Sequence, residues 1–135
     1  MINRITNDEI THVSGNEIFV FGSNLSGLHG GGAAKAAMKW GAIWGNPVGL
    51  QGNTYAIPTK SEGYKRTLTI DEITPYVVEF IKFAEDNPDL RFYVTEIGCG
   101  LAGLTIEEVA PLFKDTVEID NIFLPELFWE NLKNK

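Results

Sequence analysis

Two short stretches of the chain gather glycine beside groups able to hold an anion. The first is Gly22-Ser23-Asn24-Leu25-Ser26-Gly27-Leu28-His29-Gly30-Gly31-Gly32, and the second is Gly98-Cys99-Gly100-Leu101-Ala102-Gly103. Glycine has no Cβ, so its backbone can approach a ligand closely and turn at positive φ. Such loops can offer N–H groups to phosphate oxygens without basic side chains. A tight turn alone would need one glycine; three in succession, Gly30-Gly31-Gly32, carry an entropic cost that a plain turn does not require. Between the two loops in sequence lies Thr59-Lys60. A lysine can contact phosphate, and it becomes a nucleophile when burial favours the neutral amine.

Other reactive side chains are few. Cys99 sits in a loop ahead of a helix, where a thiol can be activated. With no histidine near it in sequence, a buried loop residue is the expected role. His29 lies in the first loop and is a candidate ligand contact, whereas His12 reads as a surface residue. One cysteine and two histidines give no metal-ligand spacing, so no metal site is expected. Trp40, Trp44 and Trp129 could stack on a base; two of the three are expected in the core.

The elements that must position these groups alternate along the chain. Residues 17–21 read as a buried strand ended by Gly22. Residues 33–40 read as a helix, 41–52 as irregular, and 54–57 as a strand stopped by Pro58. A polar connection over 59–69 follows. Ile73, Val77, Phe80, Ile81 and Ala84 then fall on one face of a helix, whose start is signalled by Thr74-Pro75 or by Asp71. Residues 91–97 are the clearest strand. Thr105 and Glu108 fit a capping box for a helix running to about Thr116. A last strand over 121–124 and a helix begun by Pro125 complete the order β-α-β-α-β-α-β-α. This order predicts a single three-layer α/β/α domain spanning residues 1–135, with a mixed, mostly parallel sheet. Ligands of open α/β sheets bind at the carboxyl ends of strands, and both glycine loops belong there.

Bulk composition narrows the partners. The chain has 135 residues and a net charge of -7, with only 11 lysines and arginines, scattered along it. Duplex DNA or RNA, which calls for a basic face, is therefore not the expected partner. A small anion held by backbone groups remains compatible with that charge. The first residues are polar and lack an apolar signal core, and no stretch approaches membrane-spanning length. No membrane partner is expected, and the cytoplasm is the expected compartment. No pattern specifies an oligomer.

Gly98-Cys99-Gly100-Leu101-Ala102-Gly103 also matches G-x-G-x-x-G, with Glu126 23 residues beyond. The capping box argues against the dinucleotide fingerprint, because there the third glycine packs inside the helix. The P-loop pattern is absent, since no glycine precedes Lys35.

Taken together, the motifs resemble a divergent macrodomain, the ADP-ribose-binding module. Ser23-Asn24 followed by Gly30-Gly31-Gly32-Ala33-Ala34 resembles the family's Asn-then-triple-glycine loop, which borders the distal ribose and the diphosphate. Ile97-Gly98-Cys99-Gly100-Leu101-Ala102-Gly103-Leu104 resembles its second phosphate loop. The string is closest to the branch that removes ADP-ribose through a lysine, and Tyr55-Ala56-Ile57-Pro58-Thr59-Lys60 matches that branch's Thr-Lys pair. The resemblance spans about Glu17 to Leu124. It implies a ligand site made by Gly22, Ser23, Asn24, His29, Gly30–Gly32, Ala33, Thr59, Lys60 and residues 98–104, with Lys60 as the attacking group and no cofactor.

Two departures matter. An acid follows the Gly-Cys-Gly-Leu string in that branch, and here the position is Ala102. The family's adenine-reading acid near the N-terminus also has no match. Binding of ADP-ribose or a related nucleotide diphosphate, with little or no hydrolysis, is therefore expected. Glu62 is a carboxylate that could substitute. The alternatives are an ADP-ribosyl glycohydrolase acting on a macromolecule and a fold kept only for protein contacts.

Overall fold

A computed structural model describes residues 4–100 and 102–133, with Tyr64 described in its backbone only. Six strands form one sheet: β1 (Ile5–Thr6), β2 (Glu17–Asn24), β3 (Gly49–Gln51), β4 (Thr54–Lys60), β5 (Arg91–Val94) and β6 (Ile122–Pro125). Their order across the sheet is β1-β6-β5-β2-β4-β3. All pairs are parallel except β3 with β4. Four helices accompany them: α1 (Gly32–Ala37), α2 (Ile70–Asp86), α3 (Ile106–Val109) and α4 (Glu126–Lys133). Tight 3-10 turns continue α1 through Trp40 and α3 through Glu118.

The two faces of the sheet carry separate cores. Ile18 and Val20 of β2, Ile57 of β4, Phe92 of β5 and Leu124 of β6 pack with Ile73, Val77, Phe80 and Ala84 of α2 and with Phe113 and Phe128. On the other face Phe19, Phe21 and Ala56 pack against Ala34 and Ala37 of α1. Period-two alternation in β2 therefore feeds two helical layers, as a three-layer α/β/α domain requires. Two of the three tryptophans join the packing: Trp129 is buried and Trp40 lies against Phe19, while Trp44 is exposed. His12 stays at the surface beside Ser14.

Several boundaries differ from the sequence expectation. β2 continues through Gly22 to Asn24, because Gly22–Ser23 stay in register with Ile57–Pro58 of β4. β4 continues through Pro58 to Lys60. The neighbour β3 pairs only with Thr54–Ala56, so the missing proline N–H breaks no ladder on that side. α2 starts neither at Thr74-Pro75 nor at Asp71. Thr69 caps it in a capping box with Glu72, which leaves Pro75 inside the helix. Strands β1 and β3 are additions. Both are too short to show a period, and they exist through pairing with β6 and β4. The element order accordingly gains a strand before β2 and another before β4.

Among the described residues no helix is long and apolar enough to cross a membrane.

Candidate functional site

β2 and β5 are neighbours and run parallel, so the loops that follow them emerge side by side. The chain leaving β2 passes through α1 toward β3 and β4, whereas the chain leaving β5 passes through α3 toward β6. Connections that part in this way leave a crevice at the carboxyl ends of the two strands. A cavity of about 340 Å³ occupies it.

The first loop is organised by polar side chains that turn inward. Asn24, 2% exposed, accepts from the N–H groups of Ser26 and Leu28 at 3.1 and 3.0 Å and donates to the Leu28 carbonyl at 2.9 Å. Ser23 donates its hydroxyl to the Pro47 carbonyl at 2.6 Å, and Thr59 donates to the Ser23 carbonyl at 3.2 Å. These side chains hold the scaffold, so Asn24 shapes the loop first and lines the cavity second. α1 then begins after Gly31, whose backbone is extended and which provides no side-chain cap. Gly31, Gly32, Ala33 and Ala34 form cavity wall. The first N–H groups of a helix have no intrahelical acceptor, and here they border the cavity.

The second loop closes on itself. The Leu104 N–H donates to the Gly98 carbonyl at 2.8 Å, and the Gly103 N–H to the Gly100 carbonyl at 3.0 Å. Gly98 has φ +75°, and a Cβ there would lie 3.0 Å from Leu104 Cδ1. At Gly22 a Cβ would lie 3.2 Å from the Thr59 hydroxyl and 3.4 Å from the Gly98 nitrogen. Glycine at these two positions lets β2, β4 and the second loop converge. The helix behind this loop is already capped. Thr105 accepts from the Glu108 N–H at 3.2 Å, and Glu108 accepts from the Thr105 N–H at 3.0 Å. With Glu107 and Glu108 in its first turn, this helix end offers little to an anion.

Of the residues expected at the site, Gly22, Ser23, Asn24, Gly31, Gly32, Ala33, Thr59, Lys60, Gly98, Gly100 and Ala102 line the cavity. Leu101 lies outside the described residues. Gly30, Cys99, Gly103 and Leu104 do not form its described wall. Leu104 and Cys99 pack against the core instead, because the loop's internal hydrogen bonds turn that segment inward. Burial, with Glu96, Glu108 and Glu107 nearby, pushes the Cys99 thiol up to about 11, which disfavours the reactive thiolate. His29, expected as a ligand contact, lies apart from this wall. It is fully buried, sits edge-on to Phe21 at 5.3 Å between ring centres, and does not line the cavity. The turn built by Asn24 tucks it under the sheet face that carries Phe21.

The cavity also has walls that were not among the expected site residues: Leu28, Ala34 and Ile97, which lie inside the motif strings, and Thr95 and Glu96, which lie outside them. Glu96 is the carboxylate brought here, while Glu62 lies outside the described wall, exposed in a 3-10 turn. The available signal was position, since Glu96 immediately precedes the Ile97-Gly98 entry to the second loop. A second cavity of about 520 Å³ shares Thr95 and Glu96 with the first. Thr6, Asn7, Asp8, Pro125, Glu126 and Leu127 complete it. Sequence reasoning missed it because it depends on β1 pairing with β6.

No family model matches the chain, and no curated protein does. A solved structure described as a protein of unknown function from Bacteroides thetaiotaomicron is similar to it, with a TM-score of 0.61 and 17% identity. The match covers 85% of this chain and 88% of that one. A likeness at this identity concerns the fold, and it agrees with the α/β/α architecture.

Proposed function

We propose that the chain binds a nucleotide diphosphate, ADP-ribose or a close relative, with the diphosphate in the smaller cavity. One observation carries this: the cavity lies where the connections from β2 and β5 part, and glycine backbone with the uncapped start of α1 makes its wall. Backbone N–H groups and Lys60 can hold phosphate there despite the net charge of -7. The volume of about 340 Å³ suits a small ligand. The larger cavity, lined by Asp8, Glu96 and Glu126 with no basic side chain, is more acidic than the smaller one, where Lys60 stands with Glu96, so it favours the uncharged nucleoside end, whose amino and hydroxyl groups donate hydrogen bonds. The resemblance to macrodomains points the same way.

Binding without turnover is the expected behaviour. Ala102 supplies no proton. Lys60 ends β4 and Glu96 follows β5, with β2 between them, so their strands are about 10 Å apart. Both side chains nevertheless line one cavity, so the expectation rests on Ala102 and not on this spacing. The cytoplasm is proposed as the compartment, because a lone cysteine needs no oxidising environment.

Titration calorimetry with ADP-ribose, AMP and NAD tests the proposal. ADP-ribose is expected to bind tightest, and no heat with any of the three would leave a fold used only for protein contacts. Release of ADP-ribose from modified protein and modified DNA ends tests the enzyme alternative. Robust turnover that disappears in Lys60→Ala would place the chain among the hydrolases.

A further inference from the structure

The wall between the two cavities is one dipeptide, Thr95-Glu96. Its main chain is held firmly. The Thr95 N–H and hydroxyl both donate to the Val20 carbonyl of β2, at 3.2 and 2.7 Å. The Cys99 N–H donates to the Glu96 carbonyl at 3.1 Å. The Glu96 side chain is exposed, and among the described residues no hydrogen bond or ion pair engages its carboxylate. An acceptor-only group thus stands, on a fixed backbone, between a cavity suited to phosphate and a cavity lined by Asp8 and Glu126.

The larger cavity carries an independent sign of a missing partner. Thr6 lines it and is 4% exposed, and its hydroxyl oxygen is buried with no hydrogen-bond partner. A buried hydroxyl without a partner costs stability unless something bonds to it. Among the described residues no group of three acidic, cysteine or histidine side chains is placed to hold a metal ion. What suits an acceptor-rich, negatively charged cavity is a neutral group with several hydroxyl or amino donors.

We infer that Glu96 is a specificity residue that accepts hydrogen bonds from the vicinal hydroxyls of the nucleoside ribose, selecting an unmodified ribose over a 2′-deoxy or 2′-phosphorylated one. The inference rests on the nucleotide reading above and adds the group recognised and the residue that recognises it. A ligand with its diphosphate against the glycine backbone and its base in the larger cavity must pass its nucleoside ribose over Thr95-Glu96. A carboxylate there can accept from both hydroxyls at once. Removing one donor loses a charge-assisted hydrogen bond, and a 2′-phosphate brings like charges together.

The test is calorimetry with three probes: ADP-ribose, its analogue lacking the adenosine 2′-hydroxyl, and its analogue carrying a phosphate on that hydroxyl. The wild-type chain is expected to bind the 2′-deoxy analogue about 10- to 100-fold more weakly than ADP-ribose, and the 2′-phosphate analogue more weakly still. Glu96→Ala should bring ADP-ribose and the 2′-deoxy analogue to within about twofold of each other. Glu96→Gln keeps an acceptor but removes the charge, so it should recover binding of the 2′-phosphate analogue. Glu96 is exposed, and thermal melting checks that both variants fold. If the wild type binds ADP-ribose but treats all three probes alike, or if Glu96→Ala keeps the wild-type ratios, the ribose inference is wrong and the nucleotide reading stands. If the wild type binds none of the three, both are wrong.

Discussion

The loop after β2 and the loop after β5 border the same cavity from adjacent strands, but they use their hydrogen bonds in opposite ways. The first folds around the Asn24 side chain and leaves the start of α1 without a side-chain cap at the cavity wall. The second is tied across its own backbone: Gly98 accepts from Leu104, Gly100 accepts from Gly103, and Thr105 with Glu108 closes the helix behind it. Two glycine-rich strings that look alike in sequence thus have different capacities. The first ends in a helix start without a side-chain cap, while the second is fixed by its own hydrogen bonds and keeps the N–H groups of Gly98, Gly100 and Ala102, which meet no acceptor among the described residues and line the cavity. Glycine content alone did not distinguish them; the cap of the helix behind each loop did.

The largest expected effect separates the loops directly. Gly31 is extended, and Gly100 has open space within 4 Å of a Cβ, so valine fits the backbone at either position. Gly31→Val should weaken ADP-ribose binding on the order of 100-fold, because the side chain holds the phosphate away from the N–H groups at the start of α1, and Gly100→Val about tenfold by crowding. Melting temperatures should stay near the wild-type value. Equal losses would remove the distinction between the loops, and no loss in either variant would move the site elsewhere.

Stability should show the reverse preference. Gly98→Ala places a Cβ at φ +75° and 3.0 Å from Leu104 Cδ1, so it should destabilise the fold by about 1–3 kcal/mol in urea unfolding. An unchanged midpoint would mean that the second loop tolerates relaxation and is not a rigid wall. Thr105→Ala removes the cap and should cost about 1 kcal/mol, with ADP-ribose affinity unchanged. A tenfold weaker affinity would instead show that this helix end contacts the ligand.

The smallest effect concerns the brace beside the second loop. The segment joining β4 to α2 touches that loop through the Thr67 hydroxyl, which donates to the Ala102 carbonyl. The same segment is pinned by Arg66, which donates to both Glu72 carboxylate oxygens at 2.7 and 2.8 Å. These bonds, followed by the one from the Thr69 N–H, hold the Glu72 carboxyl down to about 2. A carboxyl lowered on folding stabilises the fold above its ordinary 4.5, and the contribution is lost as pH falls toward about 2. The pair is exposed, so the contribution is small. Glu72→Gln should therefore melt slightly below wild type at neutral pH, and the gap should close by about pH 2. A gap that persists at acid pH would assign the difference to the capping box alone.

Much of the architecture was legible because it is written in local patterns. The β2 alternation, the α2 face from Ile73 to Ala84 and the Thr105–Glu108 box each occupy a few consecutive residues and need no distant partner. Asp71 and Thr74-Pro75 misled at the start of α2, although the box at Thr69 and Glu72 is equally local. A proline in the second turn of a helix removes a hydrogen bond and crowds the carbonyl four residues back, a cost of roughly 3 kcal/mol, and the burial of Ile73, Val77, Phe80 and Ala84 offsets it together with the box. β1 and β3 could not be seen, since strands of two and three residues carry no period. Within the site, the glycine positions and Lys60 were visible as motifs. The inward turn of His29, the internal use of Asn24 and the arrival of Glu96 were not, because each depends on where a loop folds back.

By itself the sequence determined which segments become helix or strand on either side of the glycines, and that two backbone-rich loops follow strands. Propensity, capping and hydrophobic period act over a few residues, and composition suffices to express them. Only the tertiary structure decided that β2 and β5 lie side by side, that one loop keeps an uncapped helix start while the other closes on itself, and that a carboxylate divides two cavities. Those outcomes depend on pairings between residues far apart in the chain, such as Val20 with Val94 and Ile5 with Leu124. The free energy of such pairings belongs to the packed sheet and its two cores, and no single segment contains it.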